Sequence, residues 1–390
     1  MKKLIVLAVV FFTLEAIGQA PLATAPFELF GDHIFIKLSV DGSEPLDFIF
    51  DTGSGITVID LEAAKSLKLD VSHKESVAGA QGSIEGAKIK HNKIRMGGIK
   101  LESNVVLEAF NLNHLAISIG RKIDGIIGYD LLHHHVARLN YDEMLLEVYD
   151  MDKFPKKGEK IHFKLHNAIP TIPAKASLNN DEVVEGTFYL NTGAGTSLDF
   201  NTPFANQNKI IEKTGNHYSY LVKGIGDTET KHYEGRVKSL DLGFYEFSNL
   251  PIGISQVKGG LQGDKKVSGI VGNKILSRFN ILFDYKNHVL YLEPNDKVET
   301  EFLVNCSGLD VQMSKDMSKV WIHQVQDEGP AKMAGINAND ELVGINGNKA
   351  SEMTLIEIEE LLKVPNSTVE LEVKGNGGVK KVSLKLENLL

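Results

Sequence analysis

The stretch FIFDTGSGITVID, Phe48–Asp60, returns in the second half of the chain as FYLNTGAGTSLDF, Phe188–Phe200. Each copy is an apolar, strand-like run that delivers one polar residue into a Thr-Gly turn, where glycine permits backbone that other residues resist. A second pair follows in the same order. IDGIIGYDLLHHHVARLNYDEMLLEV starts at Ile123 and VSGIVGNKILSRFNILFDYKNHVLYL at Val267, and Gly125, Ile126, Gly128, Leu132, Tyr141 and Leu146 recur as the same residues in register. MGGIKLESNV, from Met96, likewise resembles LGFYEFSNL, from Leu242. Two motifs repeated in one order predict two units of similar design in tandem, 27–150 and 160–295, joined by the polar DKFPKKGEK. The copies differ most consequentially at one place, Asp51 against Asn191.

Short alternations such as HIFIKLSV, EPLDFIFD, AKIKHNKIRM and MLLEVYD carry strand period rather than helix period, so a mostly β protein is expected. A third block, 302–388, has a different texture. Thr354-x-x-Glu357 reads as a capping box, opening a helix with Leu355, Ile358, Leu361 and Leu362 on its apolar face.

Composition narrows the function. The formal net charge is −9 and no Lys/Arg run stands out, which argues against nucleic acid as a partner. Cys306 is the only cysteine, so neither an intrachain disulfide nor a thiolate zinc site can form. His133, His134 and His135 are consecutive and point in different directions on a helix. His162, His166, His217 and His232 have no ligand spacing, so no metal or other cofactor is expected. The opening MKKLIVLAVVFFTLEAIGQAP has a basic start, an apolar run too short to span a bilayer, and small residues at Ala16 and Gly18. It reads as a signal peptide, 1–18, and predicts an exported protein, periplasmic or extracellular, with no membrane span after cleavage.

A strand ending in Asp-Thr-Gly, followed later by two apolar residues and a Gly before a short helix, resembles the retroviral-type and pepsin-type aspartic proteases. The resemblance implies a bilobal acid-protease fold, with one Thr-Gly turn per lobe at a pseudo-twofold interface. Carried over, Asp51 takes the place of the first catalytic Asp and Asn191 that of the second. Thr52, Gly53, Ser54, Thr192, Gly193 and Ala194 build the active-site turns, and the IIG element packs beneath. The family's two carboxyls share a proton, one serving as base on water and the other as acid toward the scissile carbonyl. Asn191 can polarise a carbonyl but has no proton to give. The alternative reading is a satisfied turn residue, since Asn-Thr-Gly is good turn chemistry with no function required. Without a like-charged neighbour, Asp51 is expected ionised near neutral pH, with Ser54 a candidate hydrogen-bond donor to it. The Gly-rich AGAQGSIEGAKIK, from Ala78, matches the family's flap hairpin in order, and VKGIGDTETKHY, from Val222, takes the equivalent place.

GPAKMAGINANDELVGINGNKA resembles the core of a bacterial PDZ domain, through Pro330, Ala331, Ala334, Gly335, Asp340, Leu342, Ile345, Asn346 and Gly347. The resemblance implies an α+β domain that adds an extended peptide to a sheet edge. CSGLDV is the best match for its carboxylate-binding loop, so backbone donors around Gly308, Leu309, Asp310 and Val311 are expected to hold a peptide terminus. The acid at Asp310 opposes an anion there. Two functions stand open. One is an aspartic-type endopeptidase acting on extended polypeptides recruited by the PDZ domain. The other is a pseudoprotease that holds peptides without cutting them.

Overall fold

A computed structural model describes residues 20–79, 82–96, 99–223 and 229–390. The expected signal peptide, 1–18, lies outside the described residues, as do residues 80–81 and 224–228, in the expected flap segments.

The first half contains strands β1 (Ala23–Phe30), β2 (His33–Val40), β3 (Leu46–Phe50), β4 (Thr57–Asp60), β5 (Lys74–Gly79), β6 (Gly82–Met96), β7 (Ile99–Phe110), β8 (Gly125–Ile127), β9 (Val136–Asn140) and β10 (Leu145–Tyr149). Its helices are α1 (Leu61–Ser66), α2 (Asn113–Ile119) and α3 (Tyr129–Leu132). The second half contains β11 (Glu159–His162), β12 (Lys164–His166), β13 (Ile169–Ser177), β14 (Val183–Asn191), β15 (Leu198–Phe200), β16 (Tyr218–Lys223), β17 (Glu229–Asp241), β18 (Glu246–Ser255), β19 (Gly269–Gly272), β20 (Phe279–Asp284) and β21 (Val289–Pro294). It also carries helices α4 (Thr202–Asn208), α5 (Ile210–Lys213) and α6 (Asn273–Leu276).

The two halves trace one path. Strand order β1-β2-β3-β8-β4-β7-β6-β5 in the first is matched position for position by β12-β13-β14-β19-β15-β18-β17-β16 in the second. In each, the strand before the Thr-Gly turn runs parallel to the strand of the Gly-apolar-apolar element, Phe48 beside Gly125 and Phe188 beside Gly269. Alternation explains the strands: Ala23, Ala25 and Phe27 are buried while Thr24, Pro26 and Glu28 face out.

A shared sheet welds the halves. β9 pairs with β20, Leu139 opposite Ile281 and Ala137 opposite Phe283, and the path continues β11-β21-β20-β9-β10-β1. Arg138 ties its seam, bonding Glu147 and, across the halves, Glu293, each at 3.0 Å. One apolar core runs through both halves and takes in Phe48, Phe50, Leu139, Phe188, Phe200 and Ile281. Each such side chain contributes about 1.5–3 kcal/mol on burial. The segment between the halves is anchored too, because Phe154 is buried against Val136, Tyr149 and Tyr291.

The C-terminal block is α+β with a separate core. Strands β22 (Leu309–Met313), β23 (Val320–Val325), β24 (Glu341–Ile345), β25 (Asn348–Lys349), β26 (Thr368–Gly375) and β27 (Gly378–Lys385) form a sheet ordered β22-β23-β24-β26-β27, with β25 on β24. Helices α7 (Pro330–Met333) and α8 (Leu355–Leu361) complete it. The capping box at Thr354 and Glu357 makes both reciprocal bonds, and Leu355, Ile358 and Leu362 are buried. Cys306 is a buried free thiol. Arg278 holds the connection to the second half, donating to the carbonyls of Lys297, Val298 and Thr300 and lying 3.6 Å over the Phe302 ring. Among the described residues no helix is long and apolar enough to cross a membrane, and no group of His, Cys, Asp and Glu could hold a metal ion.

Candidate active site

β3 and β14 each end on the residue that distinguishes the repeats. Asp51 follows β3, Asn191 closes β14, and each opens a turn closed by its own backbone carbonyl, Ser54 N–H on Asp51 and Ala194 N–H on Asn191. The two turns lock together through their threonines, which are fully buried. Thr52 Oγ1 donates to the Leu190 carbonyl at 2.8 Å and accepts from Thr192 N–H at 3.0 Å. Thr192 Oγ1 donates to the Phe50 carbonyl at 3.1 Å and accepts from Thr52 N–H at 3.0 Å. Each hydroxyl both donates and accepts, and every bond crosses between the halves.

The glycines of the turns make room for the opposite half. A β carbon on Gly53 would lie 2.2 Å from Asn191 Nδ2, and one on Gly193 would lie 2.2 Å from Asp51 Cγ. The Asp51 carboxyl and the Asn191 amide therefore each sit against the other's turn. Gly128 lets the IIG element pass directly beneath, since a β carbon there would be 1.9 Å from the Asp51 carbonyl oxygen. Gly272 does the same under the second turn, at 2.3 Å from the Thr196 carbonyl oxygen.

Hydrogen bonds orient the two side chains. Gly53 N–H donates to Asp51 Oδ1 at 2.7 Å. Gly193 and Ala194 N–H groups donate to Asn191 Oδ1 at 2.7 and 3.1 Å, which sets the amide with Nδ2 toward the Asp51 turn. Burial pushes the Asp51 carboxyl up to about 6, against the pull of the Gly53 and Gly193 N–H groups. Asp51 is thus ionised at neutral pH, though less readily than its lack of a charged neighbour implied. The expected role of Ser54 is corrected: its hydroxyl donates to the Ile56 carbonyl at 2.6 Å, along its own loop, and the Gly53 N–H serves Asp51 instead.

The raised Asp51 pKa has a stability consequence. A group whose folded pKa lies above its unfolded value favours folding fully below the unfolded value, and that contribution is lost as pH rises through the folded one. Asp51→Asn, which mimics the protonated form, is therefore expected to be more stable than wild type at pH 7.5, by on the order of 1–3 kcal/mol, and no more stable than wild type at pH 3.5. Calorimetry at the two pH values checks this. A variant no more stable at pH 7.5 would show that the carboxylate is not penalised by burial.

His33 joins the site without any motif to announce it. It begins β2 in the first half, yet its ring packs on the Asn191 loop, with Nε2 3.3 Å from where a Gly195 β carbon would be and Nδ1 buried without a hydrogen-bond partner. Burial holds it below the ordinary histidine range, while Asp32 pulls it upward. A neutral imidazole thus braces the Asn191 turn. The mirrored contact in the other turn, Gly55 against Asn167 and Ala168, is made by small groups.

Period-two geometry puts Ile49 on the face of Asp51 and Tyr189 on that of Asn191. Ile49 packs with Ile126, and Tyr189 with Ile270, giving each turn an apolar flank. The two flap segments are hairpins, β5 paired with β6 and β16 with β17.

In the C-terminal block the expected peptide-terminus loop is already occupied. Ser307 and Gly308 N–H groups donate to Asn305 Oδ1 at 2.8 and 3.0 Å, and Leu309 N–H donates to Ser307 Oγ at 3.0 Å. Burial, with Glu359 and Glu229 nearby, pushes the Asp310 carboxyl up to about 7. The expectation of free donors is corrected at Gly308 and Leu309, whose N–H groups are spent on Asn305 and Ser307, while Asp310 and Val311 follow on β22.

Residues 36–131, which include Asp51 and Gly128, match the family model described as aspartyl protease. Residues 298–374 match the PDZ domain model. The chain carries an aspartyl protease domain and a C-terminal PDZ domain. A search of curated proteins finds no match. Asp51 falls within the matched aspartyl protease domain, and Asn191 belongs to the half that follows it.

Proposed function

We propose that this aspartyl protease and PDZ protein is an exported aspartic-type endopeptidase acting on extended polypeptides, without cofactor. The carrying observation is the pair of cross-bonded turns that set the Asp51 carboxyl and the Asn191 amide against each other's glycine. Ionised Asp51 takes a proton from water as the water attacks the scissile carbonyl. The Asn191 amide N–H hydrogen-bonds the carbonyl oxygen as it gains charge. Asn191 cannot pass on a proton, so breakdown of the tetrahedral intermediate relies on the proton Asp51 has acquired. Lacking a second carboxyl, the site forgoes about 100- to 10,000-fold in rate.

A second reading has its own support. Asn191 Oδ1 is held by two backbone N–H groups, as a well-satisfied turn residue would be, and suits a pseudoprotease that grips peptides in the cleft. Incubation with a denatured protein mixture from pH 3 to 8, with new termini read by mass spectrometry, separates the two. The peptidase reading expects cleavage that rises as pH passes about 6, following Asp51 ionisation, and disappears in Asp51→Ala. Cleavage that persists in Asp51→Ala, or none by wild type at any pH, sinks it.

A further inference from the structure

The PDZ domain lies against both protease halves. On the first-half side, α2 approaches β22, with Cα atoms of the two within 8 Å. A β carbon on Gly120, at the end of α2, would stand 2.9 Å from Leu355 Cγ at the start of α8. Ile356 of α8 also reaches the Gly31 turn, whose next residues, Asp32 and His33, touch the Asn191 loop. On the second-half side, Gln324 of β23 clamps the free edge of β16. Its Nε2 donates to the Ser219 carbonyl and its Oε1 accepts from Leu221 N–H, both at 2.9 Å. One side chain thus imitates one residue of an added strand. His323 meets Glu229 of β17 at 3.0 Å.

β22 is the edge strand of the PDZ sheet, and with α8 it frames the place where an extended peptide adds to such a domain. An added strand needs a lane about 4.8 Å from β22. α2 touches both walls of that groove, β22 and, at its end, Leu355 of α8. The PDZ core and the protease core are separate clusters, so the two bodies can part without tearing either one.

We infer that α2 closes the PDZ groove in cis, and that an extended polypeptide reaches β22 only when the PDZ domain swings off the protease halves. That movement also releases Gln324 and His323 from the second half. The ligand class is an extended segment recognised along its backbone, since the loop that would take a terminal carboxylate is filled. The inference rests on the PDZ domain being peptide-binding and does not depend on whether the cleft cuts.

Hydrogen exchange of the full chain, read by mass spectrometry, tests it together with binding of a randomised dodecapeptide pool in free-acid and amidated forms. In the double variant His323→Ala and Gln324→Ala, α2 and β22 should exchange about ten-fold faster than in wild type, with β26 and β27 unchanged as the report of an intact PDZ fold. The variant should bind the pool about ten-fold more tightly, equally in both forms. Unchanged exchange in α2 and β22, equal binding by the two proteins, or a requirement for the free acid overturns the inference. Should β26 and β27 also exchange faster, Gln324→Glu replaces the double variant, because it keeps the size and sets an oxygen against the Ser219 carbonyl. No binding by either protein overturns the inference and the PDZ half of the proposed function together, and Asp51-dependent cleavage then still decides the peptidase half.

Discussion

Asn191→Asp should raise the rate of peptide cleavage by about 100- to 10,000-fold and move its optimum to lower pH. The added carboxyl occupies the place of an amide already oriented by Gly193 and Ala194 N–H groups, so no rearrangement is required. Set against the Asp51 turn, two carboxyls cannot both ionise easily, and one of them keeps its proton. The pair then titrates as a unit, with a base and an acid present together over an acidic window. Wild type has only Asp51, and its activity should follow a single ionisation near 6. Steady-state kinetics of both proteins from pH 3 to 8 check this. A variant with wild-type rate and an unmoved profile would mean that residue 191 does not face the reacting bond.

Thr52→Val should destabilise the protein by about 2–6 kcal/mol and abolish cleavage. The shape is kept, but the Thr192 N–H and the Leu190 carbonyl lose their partner. Each is buried beyond the reach of water, and an orphaned buried group costs about 1–3 kcal/mol. Thr52→Ser retains the oxygen and should cost only about 1 kcal/mol, the worth of one methyl group. Urea unfolding of the three proteins separates these outcomes. A Val variant within about 0.5 kcal/mol of wild type would sink the idea that the threonine bonds hold the turns in register.

What was readable in the sequence was whatever a short segment carries within itself. The strand before Asp51, the turn after it and the glycines of the IIG element each have a local signature, and their repetition exposed the path of both halves. The capping box at Thr354 is likewise local. The partners of Ser54 depended on which way one hydroxyl rotates, and its own loop offered the nearer acceptor. His33 was hidden because its contacts lie in the other half of the chain, and no spacing rule links position 33 to position 195. The nearest signal was the mismatch of the repeats, His33 in β2 against Ile169 in β13. Asn305, which fills the PDZ loop, lies just ahead of the CSGLDV segment, where no motif marks it. The docking of β22 against α2 joins surfaces of separate domains, and neither surface carries a period or motif that names its partner.

The sheet that joins β9 to β20 holds both turns in one continuous chain. Two identical subunits assembled around the same axis would have to write every substitution twice. A removed carboxyl would vanish from both sides of the cleft, and a histidine brace would be imposed on both turns. Linked in tandem, the halves are free to specialise: one keeps the acid, and the other keeps the turn, exchanges its charge for an amide and receives a support that its counterpart never acquires.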